Sequence, residues 1–552
     1  MRGSKAEHKA EAEHRYGNHS PVLSFAIAWV GYLGEAVPSW NCSAFLTLEL
    51  GLYHRPLQAA LSGSLIYAPS FAGGYLLAWS FEFEEVVIKE GVISGQSARN
   101  TAASTAVLLC GIILTSILQP SDGAANTFFS AAVGIGLSLS LATAMEGTAG
   151  VRTLIRVDIM MLWVLYGLTF LEFLFPQPGV DALASPTDAV NGTNAVLIGF
   201  GGLAVGRHLV PKRRPGRRPS TFIDLRPANV FLLFVLATLL GYVHIFLAVN
   251  FDPVEVIRQM SLPRFSQSWS RGQYGDAYAL LYEVGALIYL IPPIAGLIFA
   301  RSKEYRLFHK TIVIIVVIFT FYYGFASGTR NVLATYVITF AGMYLLARRQ
   351  LNLGQALCLG IPMLGILLVA TIYMLEFRTK GLDKFTFAER ENKSFFVDYN
   401  IVNVANLTEA FPGLFGFLGL EIPLNALIRP IPRVLWPGKP EGLSVTIESA
   451  LGASSGVTLS CTFVGEAYMA GGLVAVLLIS LFFGAAAAMW NRVGAGSNLQ
   501  FAQLLYISGF LCAALAMRSM LSMVPFMLPT LALWAFGNLW LRRSSLRCAS
   551  DV

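Results

Sequence analysis

Long continuous apolar runs separated by short polar breaks dominate this chain, with no residue-by-residue alternation inside the runs. A barrel strand would show a period of two, so unbroken runs point to helices. A helix needs about 20 apolar residues to cross the hydrocarbon layer. On that measure the chain predicts fourteen spans, near 23–47, 60–80, 102–118, 127–145, 158–175, 194–207, 228–250, 277–300, 311–327, 331–347, 354–376, 462–489, 501–517 and 520–540. The run 194–207 is short, and 23–47 contains Glu35 and Pro38, so the expectation is about 14 transmembrane helices, within a range of 12–14. Every backbone polar group must be satisfied inside lipid, and helices do this within one segment. The expected fold class is therefore an all-α polytopic membrane protein.

Lysine and arginine in short loops set the orientation. Segment 207–226 holds Arg207, Lys212, Arg213, Arg214, Arg217, Arg218 and Arg226, which predicts a cytoplasmic turn. Counting outward puts Arg152, Arg156, Arg301, Lys310, Arg348, Arg349, Arg542, Arg543 and Arg547 on the same side. Connections 119–126 and 176–193 contain neither residue type and fall outside, and both termini become cytoplasmic. The predicted organisation is a cytoplasmic tail 1–22, a six-span half 23–207 and a basic linker 208–227. Spans seven to eleven follow over 228–376, then a long external loop 377–460, spans twelve to fourteen over 461–541, and a tail 542–552.

The long loop is the exception in a chain of short ones. Its Arg378, Lys380, Lys384, Arg390, Lys393, Arg429, Arg433 and Lys439 are matched by eight acids, so it is near neutral overall. Loops beyond about 60 residues translocate largely regardless of charge. Stretch 411–428 is apolar and interrupted by glycine and proline, which predicts an interfacial or re-entrant helix. Directly after it, Arg429-Pro-Ile-Pro-Arg-Val-Leu-Trp-Pro-Gly-Lys-Pro440 packs three cations and four prolines into twelve residues. Proline stiffens the backbone and removes amide donors, while arginine offers a fork that suits phosphate oxygens. A rigid cationic ribbon at a membrane surface points to a phosphorylated lipid.

Composition sharpens this. Of 552 residues, 55% are hydrophobic and 13% charged, against about 25% charged in soluble domains. The net charge of +7 sits in short loops and reports topology, not a nucleic-acid partner. Cys42, Cys110, Cys358, Cys461, Cys512 and Cys548 show no metal spacing and no disulfide framework. No cleavable signal peptide is evident in residues 1–20, and His8, His14 and His19 sit there in a polar tail. No phosphate loop, metal-spaced histidine pair or nucleophile elbow occurs, so neither metal nor cofactor is expected.

Several further cations fall on the predicted outer side. Arg330 lies in the turn Ser327-Gly-Thr-Arg-Asn331, and Arg518 ends span thirteen. Each alone reads as a side chain snorkelling to the interface. Together with Arg378, Arg429, Arg433 and Lys439 they could converge on one pocket and stabilise a departing diphosphate. Glu466, opening span twelve, is the candidate base, with Glu283 and Glu376 as weaker alternatives and His244 as a structural hydrogen-bonding residue.

Ser-Gly-Thr-Arg-Asn331 before a span, Pro-Arg-Val-Leu-Trp-Pro-Gly-Lys-Pro440 in a long outer loop, and Val-Gly-Glu-Ala-Tyr-Met-Ala-Gly-Gly-Leu473 opening the next span resemble the Wzy-type polysaccharide polymerases. The resemblance covers about 310–490, and the first six spans match only as generic membrane helices. It implies a bacterial inner-membrane glycosyltransferase that moves a growing chain from undecaprenyl diphosphate onto the next lipid-linked repeat unit, without metal. On this reading Arg330 and Arg433 would be catalytic arginines, with Arg378, Arg429, Lys439 and Arg518 also holding diphosphate. Glu466 would orient or deprotonate the acceptor hydroxyl. The implied partners are undecaprenyl-diphosphate-linked oligosaccharides and the bilayer, with a chain-length regulator and a flippase as further candidates and no nucleic acid.

Three other readings compete. An O-antigen ligase would share topology and donor, but ligases pair an outer-loop arginine with an outer-loop histidine, and 377–460 contains no histidine. A flippase for lipid-linked oligosaccharide suits fourteen spans, yet should carry its charges in mid-span. A non-catalytic membrane assembly protein is the third.

Overall fold

The structure is a computed structural model that describes residues 90–210, 225–269, 281, 283–348, 353–381, 384, 397–429, 431, 436, 438–440, 442–453, 459–494 and 499–550. All belong to one of the chain's two units, Val87–Val552. The expected spans 23–47 and 60–80 lie outside the described residues.

The described residues form helices and no strand. They are α1 Glu90–Leu118, α2 Ala124–Gly147, α3 Val157–Thr169, α4 Pro186–Gly206, α5 Pro227–Ala248, α6 Pro253–Met260, α7 Ile291–Ala300, α8 Leu307–Ala326 and α9 Arg330–Leu346. The chain continues with α10 Leu353–Lys380, α11 Asn400–Gly413, α12 Glu421–Ile428, α13 Ile447–Ala450, α14 Thr462–Gly494, α15 Gln500–Arg518, α16 Met520–Met523 and α17 Leu528–Ser550. Eight helices among the described residues are long and apolar enough to cross a membrane, and the chain is an all-α multi-pass membrane protein.

Two elements differ from expectation for local reasons. The short run 194–207 becomes the longer α4. Its first turn is polar, so hydropathy hides it, but Ser185 caps it by accepting the Asp188 N–H, and Pro186 stands at its start. Asn194 then accepts from Ser116 and Gln119, a polar contact between helices. The single helix expected at 411–428 is split. Phe411 precedes Pro412 and leaves helical geometry at φ −117°, ψ 131°, which the proline ring favours. The helix before the break, α11, is the buried one, with Ile401, Val404 and Leu407 fully covered. Its asparagines disguise it in the sequence: Asn400 donates to the Leu168 carbonyl, and Asn403 to that of Ser460.

The central seam is α4 against α14. A Cβ at Gly206 would stand 2.3 Å from the Leu481 carbonyl oxygen, and one at Gly484 would stand 2.4 Å from that of Leu203. Only glycine allows this approach. Helices α3, α11 and α15 pack around the seam, and α7 sits between α5 and α9.

The basic turns gather at one end. Arg152 donates to the Arg348 carbonyl, Arg492 to that of Val210 and Arg301 to that of Leu225. Two expected topology anchors are instead drawn into the bundle, Arg207 buried and Arg156 half-buried. Arg156 and Arg207 form a closed cluster with Glu146 and Asp158, at 2.6 to 3.4 Å. Thr105 accepts from Arg207, Asn491 donates to Asp158, and Tyr506 donates to Asn491. The four formal charges cancel, and the cluster ties α1, α2, α3, α4, α14 and α15 together. Breaking such a pair strands a buried charge. We expect Asp158→Asn to cost about 3–5 kcal/mol in a detergent melt, while Glu255→Gln, in an exposed pair with Arg258, leaves the melt unchanged.

Candidate functional site

The opposite end holds the candidate residues. Gly328, at φ +60°, turns the chain between α8 and α9 and sets Arg330 as the first residue of α9. Its Nη1 donates to the Val397 carbonyl at 3.0 Å and stands 3.9 Å from the Asp398 carboxylate. Arg518, ending α15, stands 3.9 Å from the other oxygen of Asp398. One carboxylate thus separates two arginines from helices distant in sequence. Asp398 is held from behind by its backbone. The buried Glu172 accepts the Val397 N–H at 2.6 Å and the Asp398 N–H at 3.4 Å. Asp398 and Tyr399 both have positive φ, a conformation this clamp helps to hold.

Glu466 is buried and fully engaged. It accepts from the Ser519 hydroxyl and from the Met520 and Leu521 N–H groups. It therefore fixes the turn that follows Arg518. Further along α14 the helix breaks at Gly471–Gly472, where Gly472 takes φ +63°. The carbonyls this releases, of Met469 and Ala470, accept the Leu418 and Gly419 N–H groups at 2.9 Å. That strap leads into α12 and brings Arg429, at the helix end, back toward the bundle.

A cavity of about 870 Å³ opens among these elements. Arg264, Arg429, Lys439 and Arg518 supply its cations, and Glu283, Glu448 and Glu466 its carboxylates. Lys439 Nζ donates to the Arg429 and Ile431 carbonyls, at 2.8 and 3.0 Å, and so folds the cationic ribbon back on α12. His244 and Tyr289 line the cavity too. The His244 Nδ1 lies 2.9 Å from the Gly241 carbonyl oxygen, which can only accept, so in the neutral ring Nδ1 carries the proton and Nε2 keeps a lone pair. Cys461 also lines the cavity, but burial, reinforced by the Glu466 and Glu448 carboxylates, pushes its thiol well above the usual range, which disfavours a thiolate nucleophile. A second cavity of about 270 Å³ contains Arg330 and Asp398, and shares Thr329, Asn331 and Arg518 with the first.

Of the predicted site residues, Arg429, Lys439, Glu466 and Arg518 share the large cavity, and Arg330 lies next to it across Asp398. Arg433 lies outside the described residues, as do the side chains of Arg378 and Glu376. The sequence reading missed Arg264 and Asp398. Arg264 was legible as a cation in the connection 251–276, on the same predicted side. Asp398 was one of eight loop acids with nothing to set it apart. In the structure Glu466 holds the turn at 519–521. We expect Glu466→Ala to lower stability by about 1–3 kcal/mol, by stranding the buried Met520 N–H, with the loss read as a falling melting temperature.

Comparison with protein-family models, with curated proteins and with solved structures finds no match for this chain, so its function has to be argued from the side chains themselves.

Proposed function

We propose that this protein is a membrane glycosyltransferase that joins undecaprenyl-diphosphate-linked oligosaccharide repeat units into polysaccharide at the outer face of a bacterial inner membrane. The observation that supports it is the meeting of Arg264, Arg429, Lys439 and Arg518 on one large cavity, with Arg330 across Asp398 from Arg518. A cavity of this size suits a polar, extended substrate, and its cations suit a diphosphate.

The reaction breaks the bond between the anomeric carbon and the diphosphate oxygen, and that electron pair leaves on the lipid diphosphate. The acceptor hydroxyl oxygen forms the new bond, and its proton passes to a base in the cavity. Negative charge grows on the leaving oxygen as the bond breaks, and pre-placed guanidinium groups oppose that charge without metal. Glu283 and His244 also line the cavity and are base candidates beside Glu466, whose oxygens accept from Ser519, Met520 and Leu521. Glu466 also keeps Arg518 in place.

The test uses a host that makes the lipid-linked unit. Arg330→Ala and Arg518→Ala are expected to cut long-chain polymer by about 100-fold or more on a gel ladder, while single units still reach the outer surface. Lysine at either position should restore part of the ladder, having charge but no fork. A normal ladder in the double variant would remove the catalytic role. Units trapped on the inner leaflet would indicate a transporter.

A further inference from the structure

The two cavities share a wall and differ in chemistry. Past Thr329, Asn331 and Arg518 the smaller one becomes apolar. Its floor is Leu333, Ala370 and Met374, all buried, and its rim on α10 is Leu364 and Leu368, exposed by 58% and 39%. Its other side is α3, at Val164 and Gly167. The charged residues Arg330, Asp398 and Arg518 stand together where α9 begins. From Met374 back to Leu364 the groove follows α10 for about 15 Å. A Cβ at Gly167 would meet no atom within 4 Å, so α3 leaves room there that no side chain among the described residues fills.

We infer that this groove between α3, α9 and α10 holds the hydrocarbon chain of a single-chain lipid diphosphate, with the diphosphate between Arg330 and Arg518. The inference rests on the reading of the site as one for lipid-linked diphosphates, and it adds the place of the chain. Charge complementarity selects the occupant. Among the residues that line it, two guanidinium groups and one carboxylate leave a cationic end, with the Glu172 carboxylate buried behind Asp398 and held by backbone N–H groups, and the apolar limb along α10 runs away from that end. Asp398 does not block the site: at 3.9 Å from each arginine and 40% exposed, it holds them loosely and can yield to a stronger anion. A headgroup seated there reaches the large cavity directly, because Arg518 and Asn331 line both spaces. The chain then anchors the lipid while its diphosphate end faces the acceptor.

The experiment uses full-length protein in lipid nanodiscs with two probes, a long-chain prenyl diphosphate carrying a diazirine on its chain and a water-soluble five-carbon prenyl diphosphate. In the unaltered protein, photolabel is expected on the peptides around Leu333, Ala334, Leu367 and Ala370, competed by unlabelled long-chain diphosphate and not by phosphatidylglycerol. Gly167→Phe and Ala334→Phe, which narrow the groove, should weaken long-chain binding about tenfold, the loss of roughly two buried methylenes, and leave five-carbon binding unchanged. Gly360→Phe, on an open face of α10, should change neither. Label on other helices, equal competition by phosphatidylglycerol, or long-chain binding untouched by both narrowing variants would overturn the groove while the headgroup site stands. If neither probe binds the unaltered protein, the reading of the site as one for diphosphates fails first, and the groove with it.

Discussion

Backbone contact between α4 and α14 is the constraint on which the described bundle depends. Within lipid, helices gain nothing by hiding apolar surface from each other, so close packing and polar contacts must hold them. Gly206 and Gly484 let the two chains touch, and Ser480 fills the remaining gap against Gly202. With that seam closed, α11 can lie across both helices and α15 beside α14. The break at Gly472 then matters, because it releases two carbonyls high on α14 and the strap at 418–419 takes them. The cationic end of α12 is placed by that exchange of hydrogen bonds.

The same molecule treats charge in two ways, and the distances separate them. At the end with the basic turns, Arg156, Arg207, Glu146 and Asp158 sit within 2.6 to 3.4 Å of their partners, both carboxylates and Arg207 almost wholly shielded. Every charge there is consumed by the fold. At the other end Asp398 faces two arginines at 3.9 Å and remains 40% exposed. Exposed, loosely held pairs contribute little to stability, so they can exchange partners at small cost. The first cluster is a structural knot, and the second is suited to a ligand.

Glu466 shows how the two roles can be confused. A carboxylate at a helix start near a row of arginines resembles a base. Its oxygens are committed to Ser519, Met520 and Leu521, and its effect on chemistry would pass through the position of Arg518. Glu283 and His244, which line the same cavity, are then further candidates for the proposed base.

Hydropathy alone determined that the chain is helical and crosses the membrane repeatedly, because lipid leaves backbone polar groups no other partner. The clustering of Lys and Arg in short turns likewise placed Arg152, Arg301 and Arg348 at one end. The cap at Ser185 and the break before Pro412 are also local in cause, but hydropathy passed over both, because it weighs apolar runs and not caps or proline geometry. Only the tertiary structure decided that Arg156 and Arg207 are tied into an ion cluster with Glu146 and Asp158, that Asp398 stands between Arg330 and Arg518, and that an apolar groove opens beside them. Those facts depend on which helix faces meet, and long-range packing, not local pattern, chooses the meeting.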